Sequence, residues 1–220
     1  MQEEKITLIS SYFPSLTSAQ LNQLQILHRL YREWNTKINL ISRKDIDNLY
    51  ERHILHSLSI ARFFSFTAGT TIADAGTGGG LPGLPLAIFF PHVRFILIDS
   101  IQKKIRVVND LIEKLQLSNV TTCCQRMEMI HDTFDFITAR AVTDFSSFVK
   151  VTGKNISPKN HNPFPNGIIY LKGGDVGKEI EPFKTRIKIY ELSTVFREEF
   201  FQTKKILYLP ADSSKELWGY

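Results

Sequence analysis

The sequence predicts an α/β fold: a mostly parallel, doubly wound seven-stranded sheet behind a helical N-terminal cap. Three observations carry that prediction. Short apolar runs rich in β-branched and aromatic residues alternate with helical stretches from about residue 70 onward, the pattern of a parallel sheet wound by crossover helices. A glycine-dense stretch stands where the first of these strands meets the first of these helices, the place where open α/β sheets bind ligands. The last two apolar runs have almost no helix between them, which suits an antiparallel hairpin at one sheet edge.

The elements follow in order. Residues 1–65 form the helical cap, and 66–220 the sheet domain. After Thr17 or Ser18 as N-cap, Leu21, Leu24, Leu27, Leu30, Tyr31, Trp34 and Ile38 recur at steps of three and four, an amphipathic helix with an apolar stripe for the core. A second helix starts near Asp45 or Asp47 and runs through LYERHILHSLSIARFF. The predicted strands are TTIADAG, VRFILID, VTTCC, FDFITA, GIIYLK, RIKIYELSTVF and KKILYLP. Between them, LPLAIFF, QKKIRVVNDLIEKL, a short piece near MEMI, and DFSSFVKVTGKNI read as helices. SPKNHNPFPNG (157–167) carries three prolines and is a loop.

Composition narrows the function classes. Apolar residues make up 43% and charged residues 22% of the chain, an ordinary globular balance. No apolar run reaches the ~18 residues a membrane helix needs, and the acidic, polar MQEEKITLIS is not a secretory signal. Cys123 and Cys124 are the only cysteines and are adjacent, so they cannot staple distant segments; a reduced, cytoplasmic setting is expected. No His, Cys and carboxylate cluster has zinc-like spacing, so no metal is expected. Net charge is +5, and the window from Lys150 to Lys188 alone holds eight Lys or Arg against three acids. Such a window suits RNA phosphates, with Lys154, Lys159 and Lys172 as candidate contacts beside Arg52 of the cap, or else forms a solvated basic face.

The stretch GTGGGLPG (76–83) holds five glycines in eight positions. Glycines there admit positive φ and leave room for a ligand at the strand end, and Pro82 suits an early helix position. Gly78 to Gly83 satisfies G-x-G-x-x-G, a weak signal alone. Asp99 ends the second strand and is placed to accept both hydroxyls of an adenosine ribose, in NAD or in S-adenosylmethionine. Asp74 separates these ligands. A carboxylate two residues before the first glycine repels the pyrophosphate of NAD but complements the ammonium and sulfonium of S-adenosylmethionine. The alternative is that Asp74 caps the turn that follows it.

DAGTGGGLPGLPLAI, FILIDSIQKKIRVV, CQRMEM, ITARAV and YLKGG, with WNTKINLISRKD and RHILHSL upstream, closely resemble the RsmG (GidB) family of bacterial methyltransferases. Members of that family modify N7 of a guanosine in small-subunit ribosomal RNA. The resemblance covers roughly residues 30–210 and implies a Rossmann-like S-adenosylmethionine-dependent methyltransferase fold. It further implies that Gly76 and Leu81 line the cofactor, that Gly78 and Gly80 permit its approach, and that Asp99 holds the ribose. Met127 and Glu128 are implied beside the adenine, and Arg140 at the cofactor or the target nucleotide. His56 stands where the family usually has Asp, and the 157–167 loop is longer than usual.

The expected activity is methyl transfer from S-adenosylmethionine to guanine N7 in 16S rRNA, on the RNA or the small-subunit particle, by a monomer. The competing classes are an NAD-dependent oxidoreductase and a non-catalytic RNA-binding assembly factor. Asn162-Pro163-Phe164-Pro165 superficially resembles the Asn-Pro-Pro-Tyr motif of amino-group methyltransferases, but it precedes the fifth strand instead of following the fourth. No cysteine is placed as a nucleophile for carbon methylation.

Overall fold

The computed structural model describes residues 2–38, 40–42, 45–140 and 142–211. Met1, Asn39, Arg43, Lys44, Ala141 and residues 212–220 lie outside the described residues, and with them parts of the WNTKINLISRKD and ARAV motifs and the end of the sheet domain.

Each predicted strand is present: β1 (Thr71–Ala75), β2 (Arg94–Ile98), β3 (Val120–Cys123), β4 (Phe136–Arg140), β5 (Gly167–Gly173), β6 (Lys188–Glu191) and β7 (Lys204–Pro210). They form one sheet in the order β3-β2-β1-β4-β5-β7-β6. β1 to β5 run parallel, and β7 is antiparallel to both β5 and β6. The terminal hairpin therefore closes one edge with its later strand inside. β1 pairs with β2 on one side and β4 on the other, so a crevice opens at the carboxyl ends where the strand order reverses.

Helices α1 (Gln2–Tyr12), α2 (Ser18–Asn35) and α3 (His56–Leu58) belong to the cap, and α4 (Gly83–Phe89), α5 (Gln102–Leu115), α6 (Phe145–Thr152) and α7 (Gly177–Ile180) follow the strands. Thr17 and Gln20 close a reciprocal capping box at the start of α2. The segment expected as one helix from residue 45 or 47 instead changes pitch: a 3-10 turn (Ile46–Asn48), a π turn (Tyr50–Leu55), α3, and a second 3-10 turn (Ser59–Arg62). Pro82 stands just before α4, not inside it.

Side chains of a strand alternate between faces, and two apolar cores follow. Ile72, Phe95, Leu97 and Phe136 pack with the cap helices, α4 and α5. Ala73, Ile98, Ile137 and Ala139 pack with α6. By the same alternation, Asp74 and Arg140 point to the face the cap covers. That cap is continuous with the sheet core, because Leu24, Leu27, Tyr31 and Leu58 belong to the same cluster as Ile72 and Leu97.

The proline-rich loop lies at the opposite end of the sheet from the crevice, since it leads into the start of β5. Asn162 Oδ1 accepts from the Thr67 N–H and the Thr70 hydroxyl, and Asn166 Nδ2 donates to the Ser157 and Lys159 carbonyls. Phe164 caps an aromatic cluster with Phe64, Phe66 and Phe136 at centroid distances of 5.2, 5.9 and 5.2 Å. These contacts anchor the loop to the sheet at that end. Phe136 is fully buried in that cluster, so Phe136→Ala is expected to lower the unfolding free energy by about 3–5 kcal/mol in urea titration.

Candidate active site

The glycine turn is built around Asp74. Its Oδ2 accepts from the Thr77 hydroxyl at 2.6 Å and from the Gly83 N–H, the first residue of α4, at 2.9 Å. The carboxylate is 0% exposed and Oδ1 has no hydrogen-bond partner among the described residues. Burial pushes its pKa up to about 6, while Thr77, Gly83 and the Arg140 charge pull the other way. Gly76, Gly78 and Gly80 hold φ of +70°, +59° and +94°, as such a turn requires. The turn is fastened from both sides: the Gly76 and Thr77 N–H groups donate to the Ile98 carbonyl, and the Tyr31 hydroxyl donates to the Gly79 carbonyl.

Beside the turn lies a cleft of about 620 Å³ whose lining includes Gly76, Asp99, Met127, Glu128, Arg140 and Val142. Asp99 Oδ2 accepts from the Gly78 N–H at 3.0 Å and Oδ1 from the Ile101 N–H at 2.9 Å. A carboxylate has about four acceptor positions, so two remain beyond these bonds for a pair of hydroxyls, on a residue that lines the cleft. Lys104 Nζ stands 3.5 Å from Asp99. Met127 and Glu128 lie on a 3-10 turn (Met127–Met129) after β3, and Met127, Ile101 and Phe148 give the cleft an apolar wall for a planar ring. The donor set, the open turn and the apolar wall fit S-adenosylmethionine.

A second cavity of about 690 Å³ abuts the first, and both are lined by Arg140, Val142 and Thr143. Its other walls include Arg52, His53, His56, Lys172, Phe200 and Lys204, with Asp45 the one acid lining it among the described residues. Arg52 pairs with Asp45 at 2.9 Å and Lys172 with Glu179 at 2.8 Å. Arg140 and Lys204 have no carboxylate within 4 Å among the described residues. Lys204 Nζ sits 4.7 Å over the Phe200 ring. Arg140 donates to His53 Nδ1 at 3.0 Å and toward the Arg52 carbonyl at 3.4 Å. Burial and the Arg140 charge push the His53 pKa down to about 3 and that of His56 well below the usual histidine value. Both imidazoles are therefore neutral at pH 7.

A sequence model of the family described as rRNA small subunit methyltransferase G (GidB) matches residues 20–207. The chain belongs to this family. It is 51% identical over 207 residues to the ribosomal RNA small subunit methyltransferase G of Bacteroides fragilis, covering 94% of this chain and 92% of that one. It is also 51% identical to the protein of the same name from Flavobacterium johnsoniae, covering 92% and 96%. Among solved structures, MtNAS in complex with MTA and tNA superposes with a TM-score of 0.58 at 14% identity, over 86% of this chain and 73% of that one. Membership of a methyltransferase family removes the dinucleotide oxidoreductase, and the fold is Rossmann-like.

The structure brings together Gly76, Asp99, Met127, Glu128 and Arg140 at the first cleft, as the family resemblance implies. It does not bring Asp74 there. The capping alternative describes its geometry, since the carboxylate is spent on Thr77 and Gly83. Gly78 and Gly80 shape the turn without lining the cleft, and Leu81 is buried in the core packed against the cap. The basic window also divides. Lys172 and Arg52 line the second cavity; Lys154 reaches the Glu128 carbonyl at the rim of the first; Lys159 lies in the loop at the far end of the sheet. Sequence reasoning missed Phe200 and Lys204, which no motif marks and which only the strand order carries to Arg140. Among the described residues no group of three His, Cys, Asp or Glu could hold a metal, and no helix is long and apolar enough to cross a membrane.

Asp99→Ala removes both open acceptors and is expected to weaken S-adenosylhomocysteine binding by about 1–3 kcal/mol in calorimetric titration. Asp74 gives a pH signature. Its folded pKa, about 6, exceeds the unfolded value near 3.8, so the folded state binds more protons between these values and stability falls as pH rises through the window. Asp74→Asn lacks that loss. The stability of Asp74→Asn relative to wild type is expected to rise by up to about 3 kcal/mol from pH 4 to pH 7 in denaturant titrations, and to stay level above it.

Proposed function

We propose that this chain transfers a methyl group from S-adenosylmethionine to N7 of a guanosine in 16S ribosomal RNA. We further propose that it acts as a monomer in the bacterial cytoplasm, on the RNA or the small-subunit particle. The observation that carries this reading is the shared wall of the two cavities at Arg140, Val142 and Thr143. One side suits a nucleoside cofactor; the other is cationic and carries the half-buried Phe200 ring, the combination that takes a splayed nucleotide by phosphate contact and base stacking. Names of the 51%-identical relatives, ribosomal RNA small subunit methyltransferase G, support the same substrate class.

S-adenosylmethionine, when bound, supplies a methyl carbon activated by the adjacent sulfonium. Asp99 and the wall formed by Met127 and Ile101 would orient it through its ribose and adenine. In the second cavity Phe200 offers a stacking face, and Arg52, Lys172 and Lys204 offer phosphate contacts. Arg140 stands at the boundary and can hold either the acceptor or the cofactor in register. Positioning of this kind is worth up to about 7–11 kcal/mol. Guanine N7 carries an in-plane lone pair and no proton, so the reaction needs no general base. The neutral His53 and His56 fit that requirement, since neither has to shuttle a proton.

Single-turnover methyl transfer is therefore expected to stay nearly level between about pH 6.5 and 8.5, because the histidines of the site titrate far below that range. A 16S rRNA whose target guanosine is replaced by 7-deazaguanosine should accept no methyl group from labelled S-adenosylmethionine. Label on another atom of the analogue's ring would overturn the N7 assignment.

A further inference from the structure

Arg140 raises a question that binding alone does not answer. A half-buried guanidinium in a folded protein is ordinarily neutralised by a carboxylate. Here the hydrogen-bond partners are an imidazole nitrogen at 3.0 Å and a backbone carbonyl at 3.4 Å. The nearby acids act only at longer range: Asp74 is turned into the glycine turn, and Asp45 is paired with Arg52.

We propose that His53 is a positioning residue that aims the Arg140 guanidinium at the second cavity while leaving its positive charge unspent for the acceptor RNA. This rests on the assignment of that cavity to RNA in the proposed function. A guanidinium only donates hydrogen bonds, so the His53 nitrogen facing it, Nδ1, carries the lone pair. The ring proton then sits on Nε2, and the ring as a whole is neutral. A neutral acceptor fixes direction without cancelling charge; a carboxylate in the same place would fix direction and cancel it.

The surroundings keep His53 in that state. Arg140 and Arg52 both disfavour a proton on it, Asp45 favours one, and burial outweighs Asp45. His56, from the next turn, faces Arg140, Lys204 and His53 and is itself neutral. The cation at the cavity boundary is thus held by one uncharged imidazole, with a second, His56, and Lys204, also free of a carboxylate among the described residues, lining the same cavity. Alternation along β4 puts Arg140 on the cap side of the sheet, and the cap supplies His53 from the π turn Tyr50–Leu55. The cap therefore builds part of the site as well as covering the sheet.

The test compares three variants, each checked for a native melting transition. In His53→Asn the side-chain oxygen takes the place of Nδ1 and keeps a neutral acceptor; His53→Asp keeps an acceptor but pairs the charge; His53→Leu removes the acceptor. Affinity for a 16S rRNA transcript is measured by filter binding and affinity for S-adenosylhomocysteine by calorimetry. RNA affinity is expected to fall about 10- to 100-fold in the Leu variant through lost alignment, and by a similar factor in the Asp variant through lost charge. The Asn variant should recover most of it, with cofactor affinity little changed in all three. Equal RNA affinity in the Asp and Asn variants, or a Leu variant that binds RNA like wild type, would overturn the proposal. Methyl transfer by the wild type, measured in parallel, tests the N7 reading separately, because the RNA affinities decide the role of His53 whichever atom is methylated.

Discussion

The buried Asp74 carboxylate holds the start of α4 to the end of β1, and the rest of the site hangs from that bond. With Thr77 and Gly83 both donating to Oδ2, the glycines between them are forced into a tight turn, Gly78 and Gly80 with positive φ. That turn presents the Gly78 N–H to Asp99 and leaves Gly76 open at the cleft. Burial of the charge has a cost, seen in a pKa raised to about 6. Two hydrogen bonds and the attraction of Arg140 offset part of it. A carboxyl group tuned this way can stay in place where an apolar residue would leave Thr77 and Gly83 without an acceptor.

Charge is then divided by function. The acids nearest Arg140 and the second cavity are occupied: Asp74 by the turn, Asp45 by Arg52, Glu179 by Lys172. The cations at the second cavity are not all answered. Arg140 and Lys204 face it with neutral or aromatic neighbours. An unanswered pair of cations beside a half-buried aromatic ring costs stability in the free protein and favours an anionic, stackable ligand. RNA meets both conditions.

Much of this was legible in the chain. All seven strands and the antiparallel ending could be read because alternation and turn residues are local signals, written over five to ten neighbours. Gly76, Asp99 and the strand-end position of Arg140 could be read for the same reason, since strand ends share one edge of a parallel sheet. Met127 and Glu128 required the family resemblance, because a single 3-10 turn leaves no periodic trace. The expected helix after residue 45 was read with the wrong pitch: apolar spacing of three and four does not distinguish an α-helix from a mixture of 3-10 and π turns.

By itself the sequence determined the fold class, the cofactor turn and the family, because each depends on residues close together or on a motif that is contiguous. Tertiary structure decided which way the charges face. Asp74 reads in the sequence as an acid offered to a cationic ligand, yet strand alternation turns it under α4, where two donors claim it. Lys159 reads as part of one basic window with Lys172, yet β5 separates them to opposite ends of the sheet. Phe200 and Lys204 carry no motif and reach Arg140 only because β7 inserts between β5 and β6. Hydrogen-bond partners and distances between charges are properties of pairs remote in the chain, and only packing brings such pairs together.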